Sequence, residues 1–207
     1  MRELLKLYVS SKKTISKAQY DYIINDDELL LNCLAAGNKH HIDFKRIKEF
    51  VNSLNKNKLK YLLKRNVECI KYINNPSEDV QLAAVKQDGS VIAYILSKDI
   101  IPSEDVQLAA VQQNSKVIEW IFNFGIIPSE QVQLAAVKQN GLSIIYIYKP
   151  SESVQLAAVK QNGYIIQYIN NPSETVQLAA VKQNELAIKY IENPYPSVLN
   201  YVKSLKK

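Results

Sequence analysis

The hexapeptide Val-Gln-Leu-Ala-Ala-Val occurs five times, starting at Val80, Val106, Val132, Val154 and Val176, at spacings of 26, 26, 22 and 22 residues. Self-similarity at this period restricts the chain to stacked-repeat architectures, because a unit so small cannot bury its apolar face alone and must lay it on a neighbour. A degenerate unit precedes the five. Setting Lys58–Asn74 against Val154–Asn170 matches Lys64, Asn66, Ile70, Tyr72, Ile73 and Asn74 identically, and the step from Lys58 to Val80 is again 22 residues. The fold expected is all-α, an α-solenoid of about six short helix-turn-helix repeats with an N-terminal helical cap.

Each repeat reads as a first helix (A), a turn and a second helix (B). Pro76-Ser77-Glu78-Asp79 opens helix A, and Ser77, Ser103, Ser129, Ser151 and Ser173 recur after a proline as N-caps whose hydroxyls can accept a free backbone N–H. Acidic residues just after them sit at the positive end of the helix dipole. Within helix A, Val80, Ala83 and Ala84 share a stripe that Leu82 and Val85 widen, so the helix must be covered on two sides. The paired alanines admit a close neighbour. An Asn or Asp closes every helix A (Asp88, Asn114, Asn140, Asn162, Asn184), as suits a left-handed turn residue, and Gly comes next in three of the five. Helix B is expected to make about two α-helical turns, with Ile165, Ile166 and Ile169 facing inward.

The first two full repeats carry four extra residues after helix B, in Leu96–Ile101 and Phe122–Ile127, and a local change of curvature is expected there. Residues 1–57 read as a basic helical cap with helices near 2–9, 15–24, 27–36 and 44–54, opened in the last two by Asp26 and Asp43. A helix at 57–65 comes next, in the repeat region of 58–193. In 194–207, Pro194 and Pro196 break the repeat before a capping helix over Ser197–Leu205, whose Val198, Leu199 and Val202 are expected to close the core.

The opening Ser-Glu-Asp-Val-x-x-Ala-Ala-Val resembles the start of HEAT-like repeats, compressed to about half their usual length. More closely, Val-Gln-Leu-Ala-Ala-Val-Lys-Gln-Asn-Gly resembles short two-helix repeats of uncharacterised function found in phage, bacterial and giant-virus proteins. The resemblance covers residues 58 to about 193, implies a right-handed α-solenoid, and carries over no catalytic residue.

Two features are candidates for function. One column of helix B is aromatic in all six repeats: Tyr72, Tyr94, Trp120, Tyr146, Tyr168 and Tyr190. Such rings either stack bases or grip a peptide, or fill gaps beside the isoleucine next to each of them. The second feature is charge. Residues 1–75 hold 15 Lys and Arg against 8 Asp and Glu, whereas residues 76–207 hold 11 against 12, so the whole net charge of +6 is N-terminal. Lys56, Lys60 and Lys64, at i, i+4 and i+8, share one helix face. With Lys45, Arg46, Lys48, Arg65, Tyr94 and Trp120 they make up the expected partner-binding set. A basic stripe of this kind engages phosphates or an acidic protein surface, or serves as the solvated cap that a repeat array needs.

Repeated glutamines, Gln81, Gln107, Gln133, Gln155 and Gln177 in one column and Gln87, Gln113, Gln139, Gln161 and Gln183 in another, are expected to bond to one another or to neighbouring backbone. His40 and His41 are adjacent and diverge on a helix. Cys33 and Cys69 are too few for a disulfide framework. No Gly-rich phosphate loop, metal-spaced Cys/His set or nucleophile–base pair is visible, so neither a cofactor nor a metal is expected, and no enzyme. No stretch approaches the roughly 20 apolar residues of a membrane span, and no signal peptide is visible, which makes a cytoplasmic protein the expectation. The abundance of Ile, Lys, Asn and Tyr suits AT-rich codons.

These features together lead to a non-enzymatic module that engages a protein partner. The resemblance and the codon bias extend this to a phage or viral factor inhibiting a host defence protein, acting in the host cytoplasm. The alternatives are nucleic-acid binding through the basic N-terminal face and a sponge for a small anionic nucleotide.

Overall fold

A computed structural model describes residues 27–35 and 44–205. The helices expected at 2–9 and 15–24, and His40 and His41, lie outside the described residues. The described residues contain helices and turns but no strand, and the short helices pack each on its neighbour in the manner of an α-solenoid. Two compact units divide the chain, Met1–Pro102 and Ser103–Lys207.

In the first unit, helices Asp27–Ala35 and Phe44–Ser53 precede repeat 1, whose A helix spans Lys56–Arg65. Its cap is Asn55, which accepts from the Lys58 N–H at 3.0 Å. Leu30, Cys33, Leu34, Ile47, Phe50, Leu62 and Leu63 are buried together with Ile70 of the next turn, and the Asn66 amide donates to the Leu34 carbonyl at 2.7 Å. Repeat 2 has an A helix at Glu78–Val85 and a B segment that begins as a 3₁₀ turn, Gly89–Val91, and continues as the α-helix Ile92–Leu96.

The second unit stacks repeats 3 to 6 on A helices Glu104–Gln113, Glu130–Gln139, Glu152–Gln161 and Glu174–Gln183. In each, the first valine, second alanine and last valine of the hexapeptide form the core: Val106, Ala110 and Val111 are fully buried, as are their counterparts through Val176, Ala180 and Val181. The leucine reaches the surface in part, as does the first alanine except for the buried Ala109.

Helix B differs from expectation. It is α-helical where the four extra residues are present, at Ile92–Leu96 and Val117–Asn123. In the 22-residue repeats it is a six-residue 3₁₀ helix: Val67–Tyr72, Gly141–Tyr146, Gly163–Tyr168 and Glu185–Tyr190. The reason is reach. A 3₁₀ helix rises about 2.0 Å per residue against about 1.5 Å for the α-helix, so six residues cover roughly 12 Å rather than 9 Å. A repeat four residues shorter can then span the same height. The inward stripe expected in repeat 5 holds, with Ile165, Ile166 and Ile169 buried.

The residues that close the A helices are not left-handed. Asp88, Asn114, Asn140, Asn162 and Asn184 are extended, with φ between −145° and −151°. Asn140, Asn162 and Asn184 each end one helix and cap the next, and all five accept from the N–H two residues on at 2.8 to 3.1 Å. Positive φ falls instead in the connections to the next repeat, at Asp99, Gly125, Lys149 and Asn171. Glycine after the Asn serves close approach: a Cβ on Gly163 would lie 2.4 Å from the Ala180 carbonyl oxygen of the next A helix. Repeat 6 carries the exposed Glu185 at this position.

Two polar ladders tie the repeats. Ser129, Ser151 and Ser173 each accept from the valine N–H three residues on at 3.4 Å. Their hydroxyls donate to Glu104, Glu130 and Glu152 of the preceding repeat at 2.5 Å. Ser77 stands at the N-cap without accepting a cap bond. The position that holds this glutamate in later repeats is Lys56 in repeat 1, and Lys56 pairs instead with Asp79. The glutamines bond to backbone rather than to each other. Gln81, Gln133, Gln155 and Gln177 donate to the carbonyls of Pro76, Pro128, Pro150 and Pro172. Gln161 and Gln183 reach back to carbonyls of the preceding A helix while accepting from the Gly141 and Gly163 N–H groups at 2.7 and 2.6 Å.

The last helix, Pro196–Ser204, continues the repeat instead of breaking it. Pro194 and Val198 lie 22 residues beyond Pro172 and Val176, Val198 is fully buried, and Ser197 donates to Glu174. It is a seventh A helix without a B segment. Leu199, expected in the core, is 38% exposed and lies on a groove of the second unit.

Candidate functional site

The expected basic residues fall on two adjacent helices of the first unit. Phe44–Ser53 buries Ile47, Phe50 and Val51 and leaves Lys45 and Lys48 exposed, with Arg46 half-buried 3.8 Å from Asp27. On Lys56–Arg65, Lys56 is held by Asp79, and the Arg65 guanidinium lies 5.2 Å from the centre of the half-exposed Tyr61 ring. Among the described residues no carboxylate pairs with Lys58, Lys60, Lys64 or Arg65. Positive charge there is uncompensated over two helical turns.

The aromatic column is not one feature. Tyr72 is buried edge-on against Phe44, with ring centres 5.3 Å apart. Trp120 and Tyr146 are half-buried, and Tyr94, Tyr168 and Tyr190 are exposed. Packing is carried by the next residue, since Ile73, Ile95, Ile121, Ile147, Ile169 and Ile191 are all buried. In the 3₁₀ repeats a ring meets a side chain four positions earlier in the preceding segment's register: Tyr190 lies edge-on to Tyr164 at 5.6 Å. One repeat back, the corresponding pair is Tyr168 and Leu142.

The 3₁₀ geometry also creates a surface that α-helical periodicity hides. Side chains at i and i+3 eclipse in such a helix, so Leu142 and Ile145 line up on one outer edge of Gly141–Tyr146, and Tyr148 follows just beyond the extended Ile147 that ends it. They are 46%, 49% and 72% exposed. With Tyr168, Leu186 and Tyr190 they give repeats 4 to 6 an uncovered apolar and aromatic face. A period-3 reading of Leu-Ser-Ile-Ile would have paired Leu142 with Ile145; none of these residues was in the expected partner-binding set.

A groove of about 740 Å³ opens in the second unit between the loop 169–172 and the loop 190–196, with Ile166 and Gln177 at its base and Leu199 at its rim. Gln177 is fully bonded there: its amide donates to the Pro172 and Asn193 carbonyls and its oxygen accepts from the Tyr195 N–H. Its volume is that of a ligand site.

In the first unit the corresponding place is filled. Lys98, in the four-residue extension of repeat 2, donates its ammonium to the carbonyls of Ile70, Lys71 and Ile73 at 3.3, 3.0 and 2.7 Å. Burial, and then the nearby Lys48 charge, push its pKa below the ordinary lysine value. Asn52 completes the cover, donating to the Tyr72 carbonyl and accepting from the Asn74 N–H.

Among the described residues no cluster of three His, Cys, Asp or Glu side chains is placed to hold a metal ion. Burial pushes the Cys33 thiol up to about 11, so it is no nucleophile at neutral pH. No described helix is long and apolar enough to cross a membrane. Comparison with family models, curated proteins and solved structures finds no match to this chain.

Proposed function

We propose that the chain is a non-enzymatic binding module and that the outer face of repeats 4 to 6 contacts a protein partner. The observation that carries this reading is that Leu142 and Ile145, on one edge of a 3₁₀ helix, and Tyr148 just beyond it are large apolar side chains left uncovered. A contiguous exposed apolar patch marks an interaction surface, and tyrosines that present both a ring and a hydroxyl are suited to the centre of an interface. The resemblance to phage and giant-virus repeats extends the proposal to a viral factor that occupies a host defence protein. Capture from a cell lysate by the full chain, with and without nuclease, tests it: a stoichiometric protein that survives nuclease supports the reading, and material lost with the nucleic acid counts against it.

The unpaired lysines of Lys56–Arg65 favour a second reading, a nucleic-acid contact on the first unit. Neutralising Lys60 and Lys64 should then flatten the dependence of log affinity on log salt by about one unit per phosphate contact.

A further inference from the structure

The groove of the second unit and the Lys98 site of the first unit are the same place in two copies of the repeat. Aligning repeat 1 with repeat 5 sets Ile70, Lys71 and Ile73 against Ile166, Gln167 and Ile169, and these last three line the groove. Both stretches belong to six-residue 3₁₀ helices closed by the same bond, Ile73 N–H to the Ile70 carbonyl at 3.1 Å and Ile169 N–H to the Ile166 carbonyl at 3.0 Å. Ile73 and Ile169 are both extended, with ψ of 121° and 115°. The backbone that holds the Lys98 ammonium is therefore rebuilt in repeat 5. Among the described residues, no side chain donates to the carbonyls of Ile166, Gln167 or Ile169.

We propose that this groove receives the ammonium group of a lysine side chain carried by an extended segment of the protein partner. The inference rests on the protein-binding reading above and adds the chemistry of what is bound. An ammonium has three donors and no acceptor, which suits three convergent carbonyls; the planar guanidinium of arginine does not. Glu192, exposed on the groove and without an ion-pair partner among the described residues, supplies the opposing charge. The half-exposed rings of Tyr190 and Tyr195 flank the same space and favour a cation over their faces. Asn170 and Asn193 on the two loops present amides that can pair with the peptide bonds of an extended chain.

Fluorescein-labelled nonapeptide pools, degenerate except for a fixed central lysine, are to be titrated with the full chain and monitored by anisotropy. Matched pools carry acetyl-lysine, arginine or norleucine at the centre. The lysine pool should bind at least roughly tenfold more tightly than the other three. Glu192→Gln should weaken it several-fold, and Leu199→Lys, which places a competing ammonium at the rim, should abolish it, with both variants melting cooperatively near the parent temperature. Equal or tighter binding of the acetyl-lysine or arginine pool, no saturation by any pool, or unchanged binding by both variants overturns the inference. Ile145→Glu should leave peptide binding intact, so partner capture that persists while the lysine pool fails would sink the groove assignment alone.

Discussion

The 26-residue and 22-residue repeats share an A helix almost letter for letter and differ in the B segment and the connection after it. With four more residues, repeats 2 and 3 wind the B segment as an α-helix, and in repeat 2 the added connection lays Lys98 over the neighbouring backbone. Without them, repeats 4 to 6 stretch the same segment into a 3₁₀ helix and leave an apolar edge and a groove uncovered. Connection length goes with the winding of the B segment, while cover over the short repeat 1 comes from Lys98 of the repeat after it.

The largest way to stress this comparison is in the core that both kinds of repeat need. Ile121→Ala in a long repeat and Ile166→Ala in a short one remove side chains that are 0% and 1% exposed. Each should cost about 2–5 kcal/mol by chemical denaturation. A loss much below this at Ile166 would show that the 3₁₀ segment is loosely packed.

Glycine substitutions separate the two designs next. Gly163→Ala drives a Cβ onto the Ala180 carbonyl and should cost about 1–3 kcal/mol. Gly125, in the long connection, has open space around it and φ of +77°, so Gly125→Ala should cost about 1–2 kcal/mol through backbone strain. Asparagine should be tolerated better than alanine at 125 and worse than alanine at 163; the reverse order in melting experiments would break the assignment.

Smaller effects sort the inter-repeat polar bonds. Gln183→Ala strips a partner from the Gly163 N–H and should cost about 1–3 kcal/mol. Gln87, bonded only to its own helix, should tolerate alanine within about 0.5 kcal/mol. Ser173→Ala loses a cap and a bond to Glu152, for about 0.5–2 kcal/mol, whereas Ser77→Ala should be near neutral. Equal losses at 77 and 173 would contradict the ladder.

Much of this was legible in the letters. The six repeats, the positions of their A helices and the burial of the Val-Ala-Val core come from periodicity, because an α-helix of ten residues announces its buried face twice. The seventh A helix, Pro196–Ser204, keeps Pro194 and Val198 in register but has lost the hexapeptide that would have marked it. The B segment does not. Its six residues satisfy an inward Ile stripe in either helix type, and only the distance to be spanned separates 3₁₀ from α. Similarly, Asn at the end of helix A is compatible with a left-handed turn or an extended Asx cap, and the choice depends on the helix beyond it. Ser77 looked like its four counterparts because the missing partner, a glutamate replaced by Lys56, sits in another repeat. The expected partner-binding set tracked net charge toward the first unit, where Lys56 pairs with Asp79 and, among the described residues, Lys58, Lys60 and Lys64 have no carboxylate partner. Exposure in the second unit was invisible without the 3₁₀ register.

The proposed protein contact lies on the short repeats, at Leu142, Ile145 and Tyr148, although the long repeats expose Ile101, Phe124 and Ile127 in their connections. The direct measurement is partner capture by the full chain carrying Ile145→Glu and Tyr148→Glu, against Tyr94→Glu in the long repeat 2 as the control. Roughly tenfold or greater loss of partner affinity for the double variant, with its melting temperature unchanged and the Tyr94 variant still binding, is the outcome predicted. Undiminished capture by the double variant, or equal loss from Tyr94→Glu, would contradict it.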